Sequence, residues 1–218
     1  MAEIISLAEA ASNLPKLENE IRKGGVLVLP MEGSYIYLAD AFNITAVQKI
    51  HELRGDDSGT SCAVALGKSE TLNGITSALT IELSLLIQKY WPGPLTLLVP
   101  PNPALSWDLG DHGDLGEFAV RIPNSIIIQD LAKNIGPLAF ASAAHSGRGA
   151  ARDLSEVSAI GDEIAIYIDG GKLEESMPST VVRVKIIGVG GVEVLRVGGI
   201  SLTELRDLIP EISAVDGE

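Results

Sequence analysis

Apolar segments of strand length alternate along this 218-residue chain with amphipathic segments of helix length, and no other feature constrains its fold as strongly. The strand-like runs are 26–30, 61–66, 95–100, 118–123, 137–144 and 163–169. The helix-like segments are 14–21, 44–53, 79–90, 125–134 and a short one near 153–159. Strands and helices that alternate in this way predict an α/β protein.

Local signals predict where several helices begin and end. Two glycines at 24–25 end the first helix, and Asn124 is the predicted cap of the helix over 125–134. Ser201 with Glu204 three residues later predicts a capping box that opens a last helix.

The remaining organisation is simple. The tail 181–196 has the pattern of a β-hairpin closed by glycines, and the prolines and glycine of WPGPLT (91–96) prevent the preceding helix from continuing. Because no repeat and no linker-like stretch occurs, we expect one domain over 1–218.

The amino-acid composition argues against several classes of function. The net charge of −13 and the 4% of aromatic residues argue against an RNA-binding surface, which needs cations and stacking platforms. No apolar run reaches the roughly 18 residues of a membrane span, and the N-terminus lacks a signal pattern. The single cysteine, Cys62, fits a reducing cytoplasm, and its apolar surroundings predict a buried core residue rather than a nucleophile.

No metal or classical nucleotide motif is present in the sequence. The three histidines, His51, His112 and His145, are isolated from one another, so no metal site is predicted. GVGG (188–191) lies between two strand-like runs rather than before a helix, so a turn is the better interpretation than a phosphate-binding loop.

Basic and hydroxyl residues instead stand near the ends of the predicted strands. They are Arg54, Arg121, Ser142, Ser146, Ser179, Thr180 and Arg196. Ligands of open α/β sheets bind at the carboxyl ends of strands, and arginines there bind phosphate or carboxylate through two parallel hydrogen bonds. Each arginine alone is more typical of a surface ion pair, but together the set predicts an anion site for a small molecule.

Seven short motifs in order give the chain a family resemblance. They are PMEGSY (30–35), KIHELR (49–54), WPGPLT (91–96), VRIP (120–123), SAAHSG (142–147), STVV (179–182) and LRVGGI (195–200). The chain resembles the Sua5/YciO/YrdC family, the threonylcarbamoyl-AMP synthases of transfer-RNA t6A modification, over a core of about 15–209.

The resemblance implies a twisted mixed sheet, flanked by helices, around a deep cavity. It implies synthesis of threonylcarbamoyl-AMP and pyrophosphate from ATP, L-threonine and bicarbonate, with Mg²⁺ as a further participant. The chemistry needs no protein nucleophile, since the carbamate of threonine attacks the α-phosphorus. The expected partners are these small molecules, and the expected location is the cytoplasm.

Individual positions carry over to this chain by the same resemblance. Arg54 and Arg196 would bind the ATP phosphates, with Arg54 stabilising charge during the reaction. Ser58, Ser142 and Ser146 would complete the ATP site. Tyr35, Arg121, Ser179 and Thr180 would form the threonine site.

Several of the family's ligand positions differ here. Met31 and Gly33 replace two threonines, Ala63 a histidine, Glu52 a lysine and Ala144 an asparagine. Asp56 and Asp57 stand where the family has cations or amides, and either recruit Mg²⁺ or form a solvated acidic loop. Two functions therefore stay open, the family enzyme with an altered pocket and a diverged paralog that binds another nucleotide or small anion.

Overall fold

The computed structural model describes residues 3–113, 116–158, 161, 163–184 and 191–215. Its strands are β1 (Glu3–Ser6), β2 (Leu27–Met31), β3 (Ser34–Asp40), β4 (Ala63–Ala65), β5 (Leu95–Val99), β6 (Phe118–Arg121), β7 (Leu138–Ser142), β8 (Ile166–Asp169), β9 (Thr180–Val184), β10 (Val192–Arg196) and β11 (Ser213–Ala214). Its α-helices are α1 (Leu7–Ser12), α2 (Leu14–Arg22), α3 (Ile44–Arg54), α4 (Leu72–Ile75), α5 (Ile81–Tyr90), α6 (Ile126–Ile135) and α7 (Leu202–Leu208). Short 3₁₀ turns occupy Ser69–Thr71 and Leu154–Glu156.

All the strands of the described residues join one mixed sheet. Its order is β1-β8-β2-β3-β7-β4-β6-β5-β9-β10-β11. It contains both parallel pairs, such as β4 with β6, and antiparallel pairs, such as β5 with β6. The predicted α/β class and the mixed sheet flanked by helices are confirmed.

The two faces of the sheet carry separate hydrophobic clusters. The larger cluster packs α3, α5 and α7 against one face through residues such as Val47, Leu86 and Leu205. The smaller packs α1, α2 and α6 against the other face through residues such as Leu17 and Leu131. Helices cover only part of this second face, and the uncovered part carries a cavity.

Most predicted boundaries agree with the structure to within two or three residues, but one cap prediction is wrong. Helix α6 begins after Ser125, not Asn124, and Ser125 makes no side-chain capping bond. The backbone N–H of Asn124 instead donates to the Glu32 carboxylate. The capping box of Ser201 and Glu204 is confirmed, with both reciprocal bonds present.

Three strands were not expected from the pattern. Strands β1 and β11 have only four and two residues, which is too short for a recognisable apolar pattern. Strand β3 has five consecutive buried residues and lies in the centre of the sheet. Strands β9 and β10 pair antiparallel as predicted for the tail, whereas the turn predicted at 188–191 lies, apart from Gly191, outside the described residues.

Two further expectations concern Cys62 and the WPGPLT motif. Cys62 is buried, and burial raises the pKa of its thiol to about 12, as expected of a core residue. The motif forms a turn with a cis Trp91–Pro92 bond, and Gly93 N–H donates to the Ile122 carbonyl at 3.0 Å. This bond fixes the turn against the end of β6, in agreement with a structural role. No helix in the described part of the chain is long and apolar enough to cross a membrane.

Candidate functional site

A cavity of about 630 Å³ opens on the second face of the sheet, over its central strands. It is lined by Met31, Glu32, Gly33, Ser34, Ile36, Ala63, Thr96, Ala119, Arg121, Phe140, Ser142, Ala150, Ser176, Met177, Pro178, Ser179, Val181 and Arg196. The side chains of a strand alternate between faces, so one residue in two along each central strand reaches it. Its size is within the range of small-molecule sites.

Arg121 is the most deeply placed cation of the cavity. Its side chain is 5% exposed, and Nη2 donates to the Glu32 carboxylate and, at 2.8 Å, to the Gly93 carbonyl. Its Nε is buried and has no hydrogen-bond partner. Burial lowers the pKa of this guanidinium, while the Glu32 carboxylate opposes the shift. A buried donor without a partner, in a cavity wall, is well placed for an anionic ligand group.

Glu32 holds Arg121 in place from a two-residue turn. Met31 pairs with Ser34, so Glu32 and Gly33 alone connect β2 to β3. Glu32 adopts φ of 56°, a left-handed conformation unusual for a residue other than glycine. Its carboxylate accepts from Arg121 and from the Asn124 backbone. The turn therefore joins β2, β6 and the start of α6 around the arginine.

Arg196 reaches the cavity because β10 carries a bulge. Val192 and Val194 lie in the core, so simple alternation would direct residue 196 there as well. The register shifts between Val194 and Arg196, and Arg196 pairs with Val181, a cavity residue. Its Nη2 donates to the Ser179 carbonyl at 2.9 Å. The bulge thus places a second guanidinium at the cavity mouth.

Hydroxyl groups complete the polar part of the cavity. Thr96 Oγ1 and Ser179 Oγ lie 2.8 Å apart, and Arg196 Nη2 contacts the same Ser179 hydroxyl at 3.3 Å. The Ser142 hydroxyl is buried without a hydrogen-bond partner. Of these, Thr96 was missed from the sequence, although it is the one polar residue in the strand LTLLV.

Arg54 does not line the cavity but lies behind its wall. Its Nε donates to Asp56 Oδ2 at 2.8 Å, and Nη1 donates to the carbonyls of Ser142 and Ala144. It therefore fixes the backbone at the end of β7, where Ser142 enters the cavity.

Asp56 belongs to a buried cluster and is not part of a solvated loop. Its side chain is 1% exposed, and Oδ2 lies 2.8 Å from both Arg54 Nε and His51 Nδ1. Burial alone would raise the pKa of Asp56, but the bonds from Arg54 and His51 outweigh it and hold that pKa below its ordinary value. The hypothesis that Asp56 is a solvated acid is therefore wrong, and its Oδ2 is already engaged by Arg54 and His51. The exposed neighbour Asp57 fits the solvated description.

Comparison with known proteins assigns the chain to a family. The family model Sua5_yciO_yrdC, described as "Telomere recombination", matches residues 19–198. The chain belongs to the Sua5/YciO/YrdC family. The predicted resemblance is confirmed.

Relatives and solved structures agree with this membership. The chain is 32% identical over 87% of its length, and 85% of the relative's, to a Mycobacterium tuberculosis protein named "Putative threonylcarbamoyl-AMP synthase". It is 30% identical to the Bacillus subtilis threonylcarbamoyl-AMP synthase, over 96% of this chain and 61% of that protein. The crystal structure of Pyrococcus abyssi Sua5 complexed with L-threonine superposes with a TM-score of 0.83 at 26% identity, over 99% of this chain and 62% of that chain.

Of the positions carried over from the family, Arg121, Ser142, Ser179 and Arg196 line the cavity together. Ser58 and Ser146 are exposed and lie outside its lining, where Ser58 Oγ is 2.7 Å from His112 Nε2 and Ser146 N–H donates to the Arg54 carbonyl. Glu52 is also exposed and lines a separate, smaller pocket beside α3. The lysine-to-glutamate difference therefore leaves the lining of the main cavity unchanged.

Tyr35 and Thr180 are fully buried and face away from the cavity. The Tyr35 hydroxyl donates to the Gly171 carbonyl at 2.8 Å and accepts from Gly170 N–H, and burial raises the pKa of this phenol. The Thr180 hydroxyl donates to the Ile200 carbonyl and accepts from two backbone N–H groups, those of Gly198 and Ile200. Both residues hold loops that border the site.

Replacing Thr180 with valine is expected to destabilise the fold while leaving the cavity lining unchanged. Valine keeps the shape of the side chain but leaves the Gly198 and Ile200 N–H groups without a partner, at a cost of about 2 kcal/mol. Urea denaturation measures the loss. Thr203→Val, at an exposed position of α7, is the control and should change the unfolding free energy by less than about 0.5 kcal/mol. Equal losses in the two variants would contradict this role.

A crossing segment, 174–178, closes one side of the cavity, and nothing in the sequence indicated it. Ser176, Met177 and Pro178 line the cavity from this segment. A Cβ on Gly33 would collide with Ser176, so the segment occupies the space that the family's threonine side chain would need. Glycine at position 33 is therefore the residue that lets Ser176 lie at this place.

No group of three or more histidine, cysteine or acidic side chains in the described residues is arranged to hold a metal ion. Glu32, the carboxylate nearest Arg121, is already engaged by that arginine and by Asn124. The side chains therefore do not fit a resident metal site.

Proposed function

We propose that this protein is an enzyme that makes threonylcarbamoyl-AMP and pyrophosphate from L-threonine, bicarbonate and ATP. The amine of threonine and bicarbonate form a carbamate and water. A carbamate oxygen then attacks the α-phosphorus, and the bond from that phosphorus to the β-phosphate oxygen breaks. The product would serve t6A modification of transfer RNA.

One observation carries the proposal. The residues that match the family's motifs and also line the cavity, Arg121, Ser142, Ser179 and Arg196, converge on one space, in a chain similar over most of its length to threonylcarbamoyl-AMP synthases. The chain spans 62% of the Pyrococcus Sua5 chain, so only the activity of the shared region is proposed here.

The residues divide into binding and positioning groups. Arg121 would bind the carboxylate of the amino acid, because its buried Nε has no other partner. Arg196, at the mouth, would bind the ATP phosphates with the Ser142 hydroxyl. Ser179, expected in the threonine site, would join this group instead, because its hydroxyl contacts Arg196. Arg54 would act through the carbonyls of Ser142 and Ala144, as a positioning residue rather than a phosphate ligand.

Mg²⁺ would arrive with the nucleotide. The described side chains form no site for it, and Mg²⁺ commonly keeps several waters while it binds phosphate oxygens. Its contribution would be to neutralise charge on the phosphates.

The alternative of a non-catalytic paralog is not favoured, because the differences that motivated it leave the cationic residues of the cavity in place. Glu52, Asp56 and Asp57 lie outside the cavity lining. Met31, Gly33 and Ala63 lie within it, but Arg121 and Arg196 are retained beside them. RNA binding remains disfavoured by the net charge of −13.

The test is release of pyrophosphate from ATP in complete mixtures and in mixtures that lack one component. Release that requires both the amino acid and bicarbonate supports the proposal. Release that persists without either, or no release above a control without protein, would overturn it.

The Glu52→Lys variant is expected to change the KM for ATP by less than about twofold. Glu52 lies on α3, which packs on the opposite face of the sheet from the cavity, so an added cation there is screened from the phosphates. Arg196→Gln is the contrasting variant and should raise the same KM by more than about tenfold. A large gain in ATP affinity from Glu52→Lys would show that α3 faces the nucleotide after all.

A further inference from the structure

The wall of the cavity divides into two chemically different regions. Leu97 pairs with Val120, which places Thr96 beside Arg121. Thr96 pairs with Val181, and Val181 pairs with Arg196. One row across β6, β5, β9 and β10 therefore carries both guanidinium groups and a hydroxyl, with a single aliphatic residue between them.

The neighbouring strands carry an apolar patch, defined here as Met31, Ile36, Phe140, Ala63 and Ala119. Ala63 pairs with Phe140, and the pairing of Val64 with Val120 places Ala63 beside Ala119. The two alanines form a notch next to the phenylalanine ring. These five side chains offer no hydrogen-bond donor or acceptor except the weakly accepting Met31 sulfur.

Arg121 joins the two regions, since Ala119 precedes it by two residues on the same face of β6. An α-amino acid whose carboxylate meets the Arg121 guanidinium can therefore lay its side chain on the apolar patch. A methyl group on that side chain would gain contact with the patch, whereas a hydroxyl would lose its water and find no partner among these five side chains. Two hydroxyls of the lining, those of Ser34 and Ser142, border the patch through their pairing with Met31 and Ile36, and the Ser142 hydroxyl is assigned above to the nucleotide.

We infer that this cavity takes branched aliphatic amino acids, with L-valine used at least as well as its isostere L-threonine. The inference rests on the proposed function and extends it to a second class of substrate. The reaction is the same, with the carbamate of valine attacking the α-phosphorus of ATP and pyrophosphate leaving. A pocket that bonds a hydroxyl rejects the analogue without it by roughly 10⁴-fold, whereas an apolar pocket cannot discriminate in that way.

The first measurement compares kcat/KM for L-valine and L-threonine, with saturating ATP and bicarbonate. We expect a ratio of one or more in favour of valine, and a kcat/KM that is higher for threonine than for valine would overturn the inference. Calorimetric titration of each amino acid into the protein provides a readout without turnover. If neither amino acid is turned over, the proposed function fails, and the relative affinities alone decide this inference, with tighter binding of threonine than of valine overturning it.

A pair of variants tests whether the apolar patch sets the preference. Met31→Thr introduces a hydroxyl and should shift the kcat/KM ratio about tenfold towards threonine. Met31→Leu is the matched variant, and it should keep the wild-type ratio whatever its effect on turnover, because the patch remains apolar. If Met31→Thr does not fold, Ala63→Ser places a hydroxyl on the same patch at a smaller change in volume. A ratio unmoved by either hydroxyl, or moved equally by leucine, would contradict the inference.

Discussion

Replacing Arg121 with methionine is expected to lower kcat/KM by about 1,000-fold or more. The variant removes the deepest cation of the cavity, together with its unpartnered Nε, while the apolar stem is kept. Loss of one preorganised charged donor in a water-poor site commonly costs 100- to 1,000-fold, and the loss of carboxylate binding adds to it. The measurement is the initial rate of pyrophosphate release over a range of threonine concentrations.

Two controls separate a binding role from a structural one. Arg183→Met removes an arginine from a more exposed ion-pair cluster with Glu117 and Glu193, outside the cavity, and should leave kcat/KM within about twofold. The melting temperature of Arg121→Met reports the cost of leaving Glu32 without its partner. Activity near wild type in a folded Arg121→Met protein would show that the ligand does not use this arginine.

Asp56→Ala is expected to destabilise the fold by about 3 kcal/mol. The variant leaves the Arg54 guanidinium, 15% exposed, without its carboxylate, and an uncompensated buried charge carries a penalty of this size. The His51 contact is lost at the same time. Urea denaturation gives the loss, and Asp57→Ala, one residue along and exposed, should cost less than about 0.5 kcal/mol. Similar losses at the two positions would contradict the buried cluster.

The buried cluster around Asp56 also determines how the stability of the fold depends on pH. The pKa of Asp56 is lower in the folded protein than in an unfolded chain, so its contribution is complete above the unfolded value of about 3.9. That contribution disappears as the pH falls through the lower, folded pKa. The difference in stability between wild type and Asp56→Ala should therefore shrink as the solution becomes strongly acidic.

Much of the fold can be predicted from the sequence because the buried residues of a helix or strand recur at regular intervals. Helix α3 was predicted from Val47, Ile50 and Leu53, which all lie in the core. Strand β3 was missed because both of its faces are covered along most of its length, and a short buried run has no alternation to read.

The site was harder to predict, since it depends on which face of the sheet each residue takes. Ser34 and Ile36 line the cavity, whereas Tyr35 between them faces the opposite side of the sheet. A sequence motif does not show which of its residues face the cavity. Arg196 reaches the cavity only through the bulge in β10. The burial of Asp56 was not predicted, because its contacts with Arg54 and His51 depend on how these side chains are oriented at the end of α3.

The measurement that tests the central proposal most directly is the identity of the reaction product. The protein is incubated with ATP, Mg²⁺, L-threonine and bicarbonate labelled with heavy carbon, and the nucleotide fraction is analysed by mass spectrometry. We expect a threonylcarbamoyl-AMP whose mass carries the label, absent when bicarbonate or the amino acid is omitted. Pyrophosphate release without a labelled nucleotide, or a nucleotide product formed without the amino acid, would contradict it.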